Sequence, residues 1–321
     1  MSIRTLLLAA AAISLFLAPL RGATEPPQKV YRVGVLTTAP DAENLRRGLR
    51  ELGYVEGQNL VLEVRLAGGR LDRLPALAAE LVEARVDVIA AASPPAIQAA
   101  KEATTTIPIV MAFTSIDPVR NGFVTSLGRP GGNVTGVAII ADEIAGKRLA
   151  MLKEMLPGAT RIALLTQVNH SAGPGQVEGA RRTAKALGIE VDVFEVRDSR
   201  DYEGALIAAA KRAPGLFIVA NPTFPADVRL LAGLAAKHRL ATLCEWREMA
   251  AAGCLMAYGP NASVLQRRVV KYLDQILRGA KPADLPVEQP TQFELTINME
   301  TAKTLGLTVP NALLLQAEAI R

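Results

Sequence analysis

Residues 33–38 read VGVLTT, and about 130 positions later residues 162–167 read IALLTQ. The same device is written twice: an apolar run that closes on two small polar side chains. A short continuous apolar run suits a strand buried on both faces, as strands of parallel sheets are. Each copy leads into a basic amphipathic stretch that stops on Leu-Gly, at Leu52-Gly53 in the first half and Leu187-Gly188 in the second. Glycine just past the last periodic residue is a helix stop, because it takes the left-handed conformation without a Cβ penalty. A β-rich run follows in each half, residues 60–64 and 190–196.

The correspondence continues along both halves. Residues 87–92 end in Ser93-Pro94, and residues 215–220 end in Asn221-Pro222. Residues 107–112 lead to Thr114-Ser115, and residues 240–244 lead to Glu245-Trp246. Residues 134–140 match residues 254–258 in position. Short strands alternating with longer helices build βαβ units and parallel sheets. The expected fold is α/β, with two doubly wound Rossmann-like lobes.

Composition agrees with this reading. A chain of 321 residues exceeds one ordinary core and suits two. Half of it is hydrophobic and 21% is charged, which excludes a disordered chain. The formal charge of +5 is spread along the sequence, and 4% aromatic residues leave few stacking platforms, so no nucleic-acid partner is expected. Two histidines and two well-separated cysteines leave little material for a zinc site, and neither a metal nor a cofactor is expected. Cys244 and Cys254 either pair across a loop or remain two buried thiols; spacing alone leaves both open.

The first residues read as an address. Arg4 precedes an apolar stretch over residues 5–20, broken only by Thr5, Ser14 and Pro19, with small residues after it. That is a secretory signal pattern, cleaved near Gly22 or Ala23. An uncleaved anchor is the alternative, but a span needs about 20 apolar residues, and Pro19 with Arg21 cuts this one short. Residues 1–23 are therefore expected to be a signal peptide.

In open α/β sheets, ligands lie beyond the carboxyl ends of the strands. Thr37, Thr38, Ser93, Thr114 and Ser115 stand there in the first half, with Asp117 just beyond. Thr166, Gln167, Asn169, Asn221, Glu245 and Trp246 stand there in the second, and Tyr258 ends a strand where the chain returns to the first lobe. Two such rims form a cleft that can close on a solute. Ser93, ahead of Pro94-Pro95, reads either as a helix N-cap or as a contact for a ligand carboxylate; two prolines supply no N–H, so its hydroxyl would carry that contact. Asp117 before Pro118 reads first as a cap, and Asn221 before Pro222 reads either way. Glu245 and Trp246 suit an amphipathic solute, the ring covering apolar surface and the acid meeting an amine. A core tryptophan beside a surface salt bridge is the competing reading. Tyr258 is a hinge residue or a cleft wall. His170 reads as a solvated loop residue and His238 as a helix-end charge. The sequence holds no G-x-S-x-G, H-E-x-x-H, C-x-x-C or phosphate-loop motif, and GGNVTG at 131–136 precedes a strand, so it reads as a turn. No catalytic residues are expected.

Five stretches carry a family likeness: ELGYVEGQN at 51–59, TTTIPIVMAF at 104–113, RPGGNVTGV at 129–137, GAKPADLPVEQPT at 279–291, and FELTIN at 293–298 with TAKTLGL at 301–307. They resemble the ABC-transporter substrate-binding family of the type that includes tryptophan-uptake receptors, within the periplasmic binding proteins of leucine-binding-protein-like fold. The resemblance implies a type I periplasmic binding protein whose lobes are joined by a three-crossing hinge, near Ile140, Tyr258 and Gln292. One lobe would be 30–140 plus 259–291, the other 141–258 plus 292–321. It implies a periplasmic, monomeric protein that captures a small carboxylate-bearing solute, an amino acid or aromatic acid, and delivers it to an ABC permease in the membrane. Ser93 would hold the carboxylate and Glu245 the amine. A binding module feeding a membrane sensor, or a secreted enzyme on the same fold, are the alternatives. The chain departs from the family pattern at a shorter loop after Leu36, at Asn169-His170 in place of Asn-Pro, and at Met249-Ala250 in place of Phe-Val.

Overall fold

The first half builds a sheet from β1 (Tyr31–Thr37), β2 (Leu60–Leu66), β3 (Val88–Ala92), β4 (Ile109–Thr114) and β5 (Val134–Ala138). The second half builds another from β6 (Arg161–Gln167), β7 (Glu190–Val196), β8 (Gly215–Ile218), β9 (Ala241–Cys244), β10 (Met256–Pro260), β11 (Phe293–Asn298) and β12 (Ala317–Ile320). This computed structural model describes residues 29–38, 42–168, 170, 172–221 and 223–320. The expected signal peptide and Asn169 lie outside them.

Among the described residues the first sheet has the order β2-β1-β3-β4-β5, all parallel. The second runs β7-β6-β8-β9-β10 in the same pattern and then adds β11 and β12. The echo in the sequence is thus a repeated topology, with the strand order reversing beside the first strand of each half. β5 is an edge, whereas its counterpart β10 is covered by antiparallel β11. β12 pairs parallel to β11. Its sequence, AEAI, has no strand signature; the free edge of β11 recruits it.

Alternation along the strands distributes the core. Val33 and Val35 of β1 point to one cluster and Leu36 to another; Leu164 of β6 joins the first and Leu165 a third. Both faces of each sheet are therefore buried, as crossover helices require. α1 (Ala42–Glu51) packs beside α9 (Ala262–Leu277) on one face of the first sheet. α2 (Leu74–Glu83) and α3 (Pro94–Ala103) cover the other. On the second sheet, α4 (Ala141–Met155) and α5 (Gly173–Leu187) take one face. α6 (Tyr202–Ala210), α7 (Val228–Lys237) and α8 (Arg247–Ala251) take the other. α5 ends as the sequence indicates, with Gly188 left-handed at φ 64°.

Three passages join the sheets. The chain leaves β5 for α4, leaves β10 for α9, and after Glu288 has bonded along β5 it returns as β11. α10 (Met299–Leu305) and α11 (Asn311–Leu314) then lead to β12. The two cysteines form a disulfide that closes a loop around α8, from the end of β9 to the turn before β10. Among the described residues no helix is long and apolar enough to cross a membrane.

Candidate functional site

At the carboxyl end of β3 the backbone does something that L-residues avoid. Ser93 lies at φ 100°, ψ 150°, a region used almost only by glycine. Its carbonyl accepts the Ile97 N–H and so starts α3, but its hydroxyl caps nothing. The side chain is 6% exposed, and its Oγ is sealed from solvent with no hydrogen-bond partner. A capping serine has an extended backbone and a committed hydroxyl, and Ser93 has neither. Strain and an orphaned hydroxyl thus coincide at one residue, and nothing within the protein accounts for either.

The neighbouring strand ends are quieter. Thr37 and Thr38 are buried after β1, and their carbonyls accept the N–H groups of Ala67 and Gly69. Thr114 is fully buried at the end of β4, with its carbonyl on the Ile139 N–H at 2.7 Å; Ser115 follows, half-buried. Asp117 is engaged as a cap: its Oδ1 accepts the N–H groups of Val119 and Arg120 at 2.9 and 3.2 Å. Arg120 reaches on to Asp142 of α4 at 3.7 Å, so an ion pair joins this loop to the first turn of α4.

The second sheet places charge where the first places hydroxyls. Glu245, directly after β9, is 7% exposed, and Arg148 of α4, completely buried, lies behind it with Nη2 at 3.5 Å from Oε1. Arg148 Nε donates to the Tyr258 carbonyl at 2.7 Å, while Nη1 and Nη2 have no hydrogen-bond partner. Burial pushes the Glu245 carboxyl above its ordinary range, and the guanidinium opposes that push. A Cβ at Gly259 would collide with the Glu245 carbonyl, so β10 sits tight against the end of β9 only because that residue is glycine. The sequence carried one signal for Arg148: it occupies a core position of α4, between Ile144 and Leu152 at helical spacing. A charge on an apolar stripe needs an explanation, and this one was missed.

The loop after β6 also differs from its reading. His170 is not solvated. Both of its ring nitrogens are sealed without a partner, and burial lowers its pKa to about 4. Thr166 Oγ1 is likewise sealed and unpartnered; a Cβ on Gly173 would lie 3.0 Å from it and 3.7 Å from His170 Nδ1. Ala172 is buried in the core cluster of the first sheet, so this loop reaches across to the other half. Gln176 is buried and exchanges two hydrogen bonds with the Ala220 backbone, extending β8 by a side chain.

Asn221 belongs to a structural knot. Its amide donates to Gln167 Oε1 at 2.9 Å, and its Oδ1 accepts the N–H and hydroxyl of Thr223. Trp246 is half-buried and packs against two of the three core clusters, which favours the packing reading. The Tyr258 ring stacks on Phe293 at 5.7 Å, and Lys147 Nζ stands 4.8 Å above it. Tyr258 therefore sits where the chain leaves for α9, gripped by the strand that returns. His238 closes α7, with its Nε2 buried. Among the described residues no group of His, Cys, Asp and Glu is arranged to hold a metal.

Orphaned polar groups at strand ends, on two sheets of one topology, are a solute-binding arrangement. Over residues 40–321 the chain matches the family model described as ABC transporter substrate binding protein. The chain belongs to that family. A tyrosine-binding protein of Clostridioides difficile (strain R20291) is 25% identical over 285 residues, 87% of this chain and 81% of that one. Two solved structures align with a TM-score of 0.82: an ABC domain in complex with L-Trp from Streptococcus pneumonia, 24% identical over 91% of this chain and all of that one, and a conserved domain protein from Vibrio cholerae, 25% identical over 92% and 100%. The ligand-free, open structure of a substrate-binding protein with adhesive properties from Clostridium difficile aligns at 0.65, with 22% identity over 91% and 99% of the two chains. The ABC substrate-binding protein described here thus has the type I periplasmic binding fold.

Proposed function

We propose that the protein captures an L-amino acid outside the cytoplasm, between the lobes 30–140 plus 259–291 and 141–258 plus 292–321, and delivers it to an ABC permease. The observation that carries this reading is the strained Ser93 with its sealed, unpartnered hydroxyl. A ligand carboxylate at the start of α3 gives the hydroxyl its missing partner, because it accepts a hydrogen bond from Oγ and benefits from the helix dipole. Glu245 takes the amine from the other lobe, and Thr37, Thr38, Thr114, Ser115 and Tyr258 line the space between. Asp117 and Asn221 hold the walls through their own hydrogen bonds. The tyrosine-binding relative and the L-Trp complex of like fold support an aromatic side chain on the solute. Burial of Ala172 in the first core and the Arg120–Asp142 pair support a closed arrangement of the lobes. The solute leaves unaltered, and the protein works as a monomer.

The test is a thermal-shift screen of the mature protein against the amino acids, aromatic acids and short carboxylates. A binder at about 100 times its dissociation constant adds about 2.7 kcal/mol, a readily visible shift. Ser93→Ala is expected to weaken the best binder by about 1.5–3 kcal/mol in calorimetry. Unchanged affinity removes Ser93 from the site, and chemical conversion of the recovered solute overturns the binding-protein reading.

A further inference from the structure

We propose that Arg148 is the positioning residue of this site: it stands behind Glu245, aims its carboxyl and supplies its counter-charge, and the neutral pair they form selects a solute that carries a cationic nitrogen beside its carboxylate over one that carries a carboxylate alone. The proposal rests on reading Glu245 as the amine contact.

The geometry separates the two partners. Arg148 is sealed completely and anchored through Nε to the Tyr258 carbonyl, whereas Glu245 keeps 7% exposure at the strand end. The guanidinium therefore cannot reach a solute without passing its partner, and the carboxylate can. Its position is over-determined. Tyr258 is fixed by ring stacking on Phe293 and by Lys147 above it, and Gly259 lies against the Glu245 backbone. Such a frame leaves Arg148 one place to stand.

Charge balance then sets the ligand class. A buried carboxylate without a counter-charge takes up a proton, and a protonated acid no longer attracts an ammonium group. Arg148 opposes that uptake. With it, the pair is neutral, and a zwitterion adds no net charge to a site of low dielectric. A simple aromatic acid adds a full negative charge beside Glu245. The titratable neighbour of Glu245 is Arg148 from α4; Tyr258 from β10 acts on the guanidinium, and Lys147 stands over the Tyr258 ring. Among the described residues the small cavity that Glu245 lines is otherwise walled by groups that do not titrate, among them Ile218, Asn221, Phe224 and Met249. Nothing else there substitutes for the guanidinium.

The experiment titrates L-tyrosine, L-tryptophan and their deaminated acids calorimetrically into the wild type, Arg148→Met, Arg148→Lys and Glu245→Gln, from about pH 6 to about pH 9. The wild type is expected to prefer each amino acid over its deaminated acid by about tenfold or more, with a flatter pH profile than a variant that lacks the counter-charge. Arg148→Met binds the amino acids poorly near pH 6 and regains affinity as pH rises, because Glu245 then ionises only in more alkaline solution. Arg148→Lys keeps the flatter profile. Glu245→Gln preserves shape and reports even where Arg148→Met fails to fold; it reverses the preference toward the deaminated acids, since the buried guanidinium is left in excess. An Arg148→Met profile parallel to wild type, or a Glu245→Gln protein that still prefers amino acids, overturns the proposal. A wild-type protein that binds no amino acid overturns the proposed function itself, which separates the two failures.

Discussion

The end of β4 and the end of β9 occupy the same place in two sheets of one strand order, yet Thr114-Ser115 follows the first and Glu245-Trp246 the second. The same contrast holds one strand over. After β3, Ser93 is small, uncharged and strained in its backbone; after β8, Asn221 is relaxed into a knot with Gln167 and Thr223. The first half stores its cost in a dihedral angle. The second stores it in desolvated groups: Glu245 against Arg148, and His170 with no partner at all. A duplicated topology thus presents one rim of hydroxyls and helix start, and another of buried charge, which is the asymmetry that an ammonium carboxylate has at its two ends.

The largest effect expected on this contrast is in the second half. Arg148→Met leaves the buried Glu245 carboxyl without its counter-charge, to be desolvated or protonated, and is expected to cost about 3–5 kcal/mol in urea denaturation. The double variant Arg148→Met, Glu245→Leu should recover most of that loss, because two apolar side chains need no pairing. A double variant as unstable as the single one breaks the contrast, since the cost would then lie in packing.

A somewhat smaller effect belongs to His170. Its folded pKa of about 4 lies below the ordinary 6.5. Between those values the unfolded chain binds a proton that the folded chain refuses. Stability is complete above about pH 6.5 and falls as the pH drops toward about 4, by up to about 3 kcal/mol. Thermal melts of His170→Asn should lose that part of the pH slope; an unchanged slope assigns it to other groups.

The smallest change is expected in the first half. Ser93→Gly should stabilise the protein by about 1 kcal/mol, since glycine accepts φ 100° freely, while weakening solute binding through loss of the hydroxyl. Ser93→Ala keeps the strain and should leave stability unchanged. Equal melting of all three proteins would remove strain from the account of the first rim.

Much of this was legible without coordinates. The continuous apolar runs of VGVLTT and IALLTQ, the Leu-Gly stops and the polar residue after each strand showed two sheets of βαβ units with polar carboxyl ends, because hydrophobic patterning and glycine conformation are local properties. Ser93 was legible as a position, though its strain was not. Tertiary structure alone decided the rest. Arg148 lies about a hundred residues from Glu245 and meets it only when α4 packs on the second sheet. His170 sits in a polar stretch, and its ring nitrogens lose their water only in the folded chain. AEAI becomes β12 only at the free edge of β11, and the cysteines pair only because β9 and the turn before β10 come together. Burial and pairing over long sequence separations are properties of the packed chain, and no window along the sequence contains them.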